Sequence, residues 1–480
     1  MSEKTHSPYF AAAWSFIERF SSEIATFAIS IILARLLSPS DYGIVGITTV
    51  FIAIFNVIIE SGFSNALIRK LDRNEHDLAT AFYFNAFVGI IAYSILFVTS
   101  SYIAEYFEEP VLSNLVKVVS LIVLINSFCI VPNAILTSQL NIKSQAYISI
   151  FSQIPAGIIA IFFAYHGLGL WALAIQQVFK SILTCILLWS KVHWFPKTKF
   201  SKQSFHYLWN FGSKLLLATL IGTIFNNIYS FLIGKYIGKN ELGYYSKGQG
   251  LANHISTVSN GIVQKIGLPV LSKYQQDKIL LQKKFRSIMC LIIMVIAPLS
   301  ALCFFEAKDI IILLWTEKWK ETIPMFQIIV CTLVMGPIGA MSLNLFQVVN
   351  RTDITLKLEF FKKAVFAIVI FISFQYGIYA LLLGMLFNNT FAALVNMYPT
   401  KYILNYSYIS QLVDLFKYII YSYSIGYALS LIINFDCRLI NILLYSIAYI
   451  STYTFILYLL KDKYFIKYSV VIYNKLRNRL

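Results

Sequence analysis

Charge is scarce in this chain of 480 residues: Asp, Glu, Lys and Arg make up 13% of it, against 58% hydrophobic residues and a mean hydropathy of +0.70. Soluble proteins carry roughly 25% charged residues, and so little polar material could not cover a water-facing surface, which excludes a soluble multidomain enzyme. Long polar stretches are missing as well. No connection between apolar runs exceeds about 16 residues, which leaves no room for an extramembrane catalytic domain of ordinary size. The Walker A, HExxH, GxSxG and CxxC patterns are absent, so ATP hydrolysis and metalloprotease chemistry have no footing in the sequence. Six cysteines, Cys129, Cys185, Cys290, Cys303, Cys331 and Cys437, show neither pairwise nor metal-ligand spacing and read as small core residues. The opening segment MSEKTHSPYF has no charged n-region, short h-region or cleavage site, so the first helix is expected to direct insertion.

What the chain does have is a succession of apolar runs long enough to span a bilayer, which takes about 20 helical residues each. The runs predict an all-α polytopic membrane protein of about 14 transmembrane helices. Six lie near 10–37, 42–68, 79–107, 112–139, 146–166 and 168–190. A polar stretch, KVHWFPKTKFSKQSFH, fills 191–206, and six more follow near 207–237, 242–272, 284–306, 322–349, 354–376 and 378–404. Two further spans, near 412–434 and 438–460, precede a basic tail. The expected organisation is therefore a six-helix lobe over 1–190, a linker over 191–206, a second six-helix lobe over 207–404, two additional helices within 405–460, and the tail 461–480.

The imbalance of 39 Lys and Arg over 22 Asp and Glu gives a formal charge of +17. These bases sit in short clusters between apolar runs, a membrane-topology pattern and not a nucleic-acid-binding one. One set of alternate connections holds Arg69, Lys70, Arg73, Lys197, Lys199, Lys202, Lys273, Lys278, Lys283, Lys284 and Arg286, and the tail adds Lys461, Lys463, Lys467, Lys475, Arg477 and Arg479. Counting flanks and termini, that side carries roughly 26 Lys and Arg against about 7 opposite, which places it and both termini in the cytoplasm.

Three segments echo one another at an offset near 200. ARLLSPSDYG (34–43) matches GKYIGKNELG (234–243), Pro132 matches Pro337, and GLWAL (169–173) matches GIYAL (377–381). Six helices separate the partners, so the halves keep one orientation, are related by an axis along the membrane normal, and bracket a binding site between them.

Six basic residues fall inside predicted spans: Arg19, Lys117, Lys180, Lys214, Lys247 and Lys265. At about 2.5 to 3.5 kcal/mol for each at a helix centre, they cannot all face lipid. Lys117 and Lys265, near span ends, can snorkel; Arg19, Lys180, Lys214 and Lys247 are the cavity candidates. Span 1 supports a wet face, with Ser15, Glu18, Arg19, Ser22, Glu23, Thr26 and Ser30 on one arc. Asn56 and Glu60 in span 2 and Asn226 in span 7 continue the polar theme, for which helix–helix hydrogen bonding is the alternative role. The bases outnumber the central acids Glu18, Glu23 and Glu60, an excess that suits a phosphate-bearing ligand.

ILARLLSPSDYGIVGI (32–47), GFSNALIRKLDRNEHDLATAFYFN (62–85) and LIGKYIGKNELGYYSKGQGLA (232–252) resemble the Wzx-type polysaccharide flippases, in the lipopolysaccharide, colanic acid and teichuronic acid exporter branch of the multidrug/oligosaccharidyl-lipid/polysaccharide (MOP) exporter superfamily. The likeness covers roughly residues 28–290, and beyond that hydropathy and repeat alone carry it. It implies two six-helix lobes around a cationic cavity, two extra helices, and alternating access for an undecaprenyl-diphosphate-linked oligosaccharide. It also implies a bacterial inner membrane setting and work alongside polymerase and glycosyltransferases in O-antigen, capsule or exopolysaccharide assembly. Lys247, in YYSKGQGLA, stands where relatives carry a base, so a phosphate-binding role transfers to it. Relatives have an acidic residue shortly before LIG, where this chain has Asn227, Ile228, Tyr229, Ser230 and Phe231, which removes support for a cation site in that helix.

The reading is thus a non-enzymatic flippase without cofactors, coupled to a Na+ or H+ gradient or run by mass action, with membrane lipids as its other partners and no nucleic acid. The rivals are a drug/cation antiporter of the same superfamily, disfavoured by the intramembrane bases, and a membrane-embedded polysaccharide polymerase, disfavoured by the short outer connections. Reporter fusions in 191–206 and in the tail are expected to report the cytoplasm; an outside location for either would overturn the span count.

Overall fold

The computed structural model describes residues 24–263 and 267–477. Glu18, Arg19, Glu23 and Lys265 lie outside the described residues. Among those described there is no strand. Contacts divide the chain into two compact units, 1–246 and 247–480.

The first unit comprises α1 (Ile24–Leu36), α2 (Pro39–Glu60), α3 (Phe63–Arg69), α4 (Glu75–Tyr106), α5 (Val111–Val119), α6 (Leu121–Ser138), α7 (Ile142–Tyr165), α8 (Leu170–Val192), α9 (Lys202–Leu232) and the start of α10 (Lys239–Ile262). Local chemistry sets the helix starts. Ser38 caps α2 by accepting from the Asp41 amide at 3.2 Å while the Asp41 carboxylate accepts from the Ser38 amide at 2.9 Å, and Pro39 occupies the first turn, where its missing N–H costs nothing. Asn74 and Asp77 form the same reciprocal pair at α4. The predicted span 42–68 is interrupted: Ser61 (φ 48°) and Gly62 (φ 68°) are both left-handed, which ends α2 and starts α3 on a new axis. Gly62 is required there twice over, because a side chain would also strike the backbone of Gly212 in α9.

This contact helps tie α9 to the first unit, although the repeat assigns 207–237 to the second lobe. The stretch 191–206 is held too. Trp194 Nε1 donates to the Glu75 carboxylate at 2.8 Å and the Ser201 amide to Thr80 Oγ1 at 2.9 Å, so the expected linker is fastened across the N-terminus of α4.

The 34–43 and 234–243 echoes have a physical counterpart. A Cβ on Gly43 would overlap the carbonyl of Lys239, and a Cβ on Gly243 would overlap that of Pro39. The two segments cross backbone to backbone through reciprocal glycines, at the starts of α2 and α10.

The second unit holds the rest of α10, then α11 (Leu268–Lys273), α12 (Lys278–Phe305), α13 (Ala307–Trp315), α14 (Thr322–Thr332), α15 (Gly336–Val348), α16 (Thr352–Ser373), α17 (Ile378–Met397), α18 (Thr400–Leu404), α19 (Tyr408–Ser430), α20 (Arg438–Leu459) and α21 (Lys463–Arg477). The helices expected as spans 13 and 14, α19 and α20, pack onto α12 through a tyrosine ladder. Tyr445, Tyr449 and Tyr453, spaced i, i+4, i+8 on α20, are buried and donate to the carbonyls of Gly426, Ser422 and Met294 at 2.7, 3.0 and 3.2 Å. Each phenol thereby finds an acceptor where hydrocarbon offers none. Below them Arg286 grips Asp414 with two bonds, at 2.5 and 3.0 Å, and Tyr406 donates to the same carboxylate. Within the basic tail, Lys463–Arg477 form the helix α21.

Among the described residues ten helical segments are long and apolar enough to cross a membrane, including the joined pairs Val111–Ser138, Thr322–Val348 and Ile378–Leu404. Three more expected spans exist as the more polar helices α10, α16 and α19. The chain is a multi-pass membrane protein.

Gly43→Ala and Gly243→Ala are each expected to cost on the order of 1 to 3 kcal/mol, because the atoms in the way are backbone and cannot rotate aside. Gly222→Ala, whose Cβ would meet open space, is the control and should be neutral. Thermal unfolding of the purified variants in detergent checks this; equal melting of all three would contradict the crossing.

Candidate functional site

Four helices of the first unit turn a polar row inward at helical spacing. Asn56 and Glu60 from α2, with Ser64 just past the break, form the first; Asn126 and Asn133 from α6 form the second; Gln145, Ser149 and Ser152 from α7 form the third; Lys180 and Thr184 from α8 form the fourth. They line a cavity of about 500 Å³, whose apolar lining is Ile59, Cys129, Ile130, Ile148 and Leu188. A chain of hydrogen bonds fixes part of the wall: Asn126 Nδ2 donates to Asn56 Oδ1 at 3.0 Å, and Ser181 Oγ donates to Asn126 Oδ1 at 2.8 Å. Gln145 Nε2 is held by Thr137 Oγ1 at 2.8 Å. The cavity therefore brings together three residues singled out from sequence, Lys180, Glu60 and Asn56, and surrounds them with amides and hydroxyls able to replace water around a polar ligand.

A second cavity of the same unit, about 650 Å³, lies on another side of α3. Arg69 and Lys214 share it with Tyr207, Asn210, Phe211 and the apolar Ala66, Leu215 and Ala218. Among the described residues its lining has two cations and no carboxylate. Arg69 is steadied by the Phe211 ring, 4.9 Å from its guanidinium carbon, and next to it Lys70 lies over the Tyr207 ring at 4.8 Å. Lys70 itself is committed to Asp77 at 2.7 Å, so its charge is largely satisfied before any ligand arrives.

The remaining sequence candidates sit elsewhere. Lys247 opens the second unit, 7% exposed, with its ammonium 4.7 Å from the Trp315 ring and 5.9 Å from that of Trp319. Asn226 is an exposed residue of α9. Lys117 lies over the Phe97 ring at 5.5 Å, as a snorkelling side chain would. Arg19, Glu18 and Glu23 lie outside the described residues. Among the described residues no group of three or more His, Cys, Asp or Glu side chains is arranged to hold a metal ion.

Sequence reasoning missed Arg69, counted with the cytoplasmic cluster because Lys70 and Arg73 follow it. It also missed the α6 and α7 rows. The signal for these was present: 126 and 133, and 145, 149 and 152, repeat at i, i+4, i+7 positions inside apolar runs, as Asn56, Glu60 and Ser64 do at i, i+4, i+8.

Residues 32–324 match the family model described as "Polysaccharide biosynthesis protein". Teichuronic acid biosynthesis protein TuaB of Bacillus subtilis (strain 168) is 26% identical over 298 residues, 60% of this chain and 61% of that protein, so the match spans under two thirds of TuaB's length. Lipopolysaccharide biosynthesis protein WzxC of Escherichia coli (strain K12) is 22% identical over 71% of this chain and 70% of its own. Among solved structures, lipid II flippase MurJ in an inward closed conformation superposes with a TM-score of 0.73 at 15% identity, covering 93% of this chain and 99% of that one. An inward-facing multidrug resistance MATE family transporter of the MOP superfamily gives 0.56 at 16% identity, over 80% and 94%. The fold is that of the MOP transporters. By the match of its family model to more than half of its length, the chain belongs to the polysaccharide biosynthesis protein family.

Proposed function

We propose that this chain is a flippase that carries an undecaprenyl-diphosphate-linked oligosaccharide repeat unit across the bacterial inner membrane by alternating access, for assembly of a surface polysaccharide. No covalent bond is made or broken. The observation that carries the reading is the cavity that Arg69 and Lys214 line together, with no carboxylate among its described lining residues. Two cations beside an amide, Asn210, are what a phosphate needs and what an apolar cationic drug would avoid. The neighbouring amide and hydroxyl cavity offers the multiple donors and acceptors that a glycan's hydroxyls demand once they leave water. Membership in a polysaccharide biosynthesis family and likeness to proteins named for teichuronic acid and lipopolysaccharide synthesis support the same substrate class.

Arg19 and Lys247 enter the proposal on charge and resemblance alone. Glu60, which lines the first cavity together with Lys180, is the described acid best placed for coupling to a Na+ or H+ gradient. Polymerase and glycosyltransferases of the same assembly route are the expected protein partners, and both termini lie in the cytoplasm in this reading.

Arg69→Ala and Lys214→Ala are expected to cut polymer export in a deletion strain while leaving membrane abundance near normal. Each removes a charge-assisted hydrogen bond worth about 1.5 to 3 kcal/mol, roughly 10- to 150-fold in binding. Lys214→Arg, which keeps the charge, should retain most export. Full complementation by the Arg69→Ala, Lys214→Ala double variant would overturn the assignment of this cavity.

A further inference from the structure

The C-terminal helix has two apolar faces, and the protein uses one of them. α21 starts immediately beyond the exit of α20 from the apolar span, after a turn in which Lys461 takes φ 51° and Asp462 caps the new helix. Asp462 Oδ1 accepts from the amides of Tyr464 and Phe465 at 3.0 Å each, and Oδ2 takes the Lys417 ammonium at 2.7 Å. Burial opposes ionisation of this carboxyl, but Lys417, the Phe465 amide and Tyr418 outweigh it and hold it below the usual carboxylate range. The exit angle of α21 is thus pinned.

Tyr464, Phe465 and Tyr468 form the docked face against the core of the second unit, where the Tyr468 hydroxyl meets Ser287 Oγ at 2.9 Å. Across the helix, Ile466 and Val470 form a second apolar row, 37% and 51% exposed. Lys461 and Lys463 are exposed beside it. Between 461 and 477 the sequence has five bases, Lys461, Lys463, Lys467, Lys475 and Arg477, and a single acid, Asp462, already committed to Lys417.

We propose that α21 lies in the headgroup layer of the membrane, with Ile466 and Val470 turned to the acyl boundary and Lys461 and Lys463 on the phosphates of anionic glycerophospholipids. Charge and position together select this occupant. A helix that begins directly at the end of a membrane span meets lipid headgroups first, and an apolar row flanked by lysines matches the layered chemistry there, apolar inward and anionic outward. The docked face keeps the helix on the protein while the other face reads the bilayer. This inference stands whichever lipid the transporter moves.

The test uses the full chain carrying Val470→Cys in a Cys437→Ser background, since Cys437 is exposed, labelled with an environment-sensitive fluorophore. It is reconstituted in vesicles of phosphatidylcholine alone or with one quarter phosphatidylglycerol. Phosphatidylglycerol should shield the probe from neutral acrylamide several-fold at low ionic strength, and the difference should vanish in high salt. Lys461→Gln with Lys463→Gln, which leaves the docked face intact, should raise the phosphatidylglycerol fraction needed for half-maximal shielding on the order of 10-fold. Equal acrylamide access in the two vesicles, or unchanged lipid dependence in the double variant, would overturn the proposal. Shielding that follows protein concentration and not lipid would assign the face to a second copy, and would overturn it too.

Discussion

Hydrocarbon supplies no hydrogen-bond partner, and that constraint organises both units. In the second unit it is met in full along α20, where each ladder tyrosine finds a backbone carbonyl, and along the lower edge, where Asp414 gathers Arg286 and Tyr406. The first unit departs from it. There Asn, Gln, Ser, Glu and Lys side chains from four helices line one cavity, and bonds such as Asn126 to Asn56, Ser181 to Asn126 and Gln145 to Thr137 hold its wall in place. Side chains of this kind facing a cavity within apolar helices favour a polar occupant, water or a polar ligand.

The interruption of the second span belongs to the same design. By ending α2 at Ser61–Gly62, the chain places Glu60 on one axis and Ser64 on another, and sends α3 between the two cavities: Ser64 lines the first, Ala66 and Arg69 the second. The break is tolerated because Gly212 lets α9 approach the turn closely enough to bury it. Repeated sequence and close packing coincide at the glycine crossing of Gly43 and Gly243, where each copy of the echo supplies the hollow that receives the other's backbone.

Much of this was legible beforehand. Runs of apolar residues marked the helices, since only a helix can satisfy its own backbone in lipid, and the 34–43 and 234–243 echoes pointed to a pair of segments that in fact touch. Lys180, Glu60 and Asn56 were singled out as polar residues costly to expose to lipid, and they share one cavity. Other features could not be read along a single strand of sequence. A lone glycine in an apolar run does not announce a break; Ser61 and Gly62 are left-handed at the point where α9 packs against them, a neighbour far away in sequence. Arg69 reads as one more basic loop residue until α9 brings Lys214 alongside. The side-by-side placement of Lys247 with Trp315 and Trp319 depends on residues about seventy positions apart. The tail's bases were visible, but its division into a docked face and an outward face required the partner surface on α12.

The central claim is that the chain changes the side of the membrane on which a lipid-linked glycan is displayed and leaves the molecule otherwise intact. Purified protein in sealed vesicles loaded with an undecaprenyl-diphosphate-linked repeat unit on the inner leaflet tests it directly, by following access of a membrane-impermeant glycan-reactive probe and the mass of the lipid together. Spontaneous crossing is negligible, because a diphosphate and several sugars would each bring polar groups costing a few kcal/mol into hydrocarbon. The account predicts that probe access rises with the protein present, at constant lipid mass. Unaltered sidedness across several candidate lipid-linked glycans, or a glycan that lengthens, would contradict it.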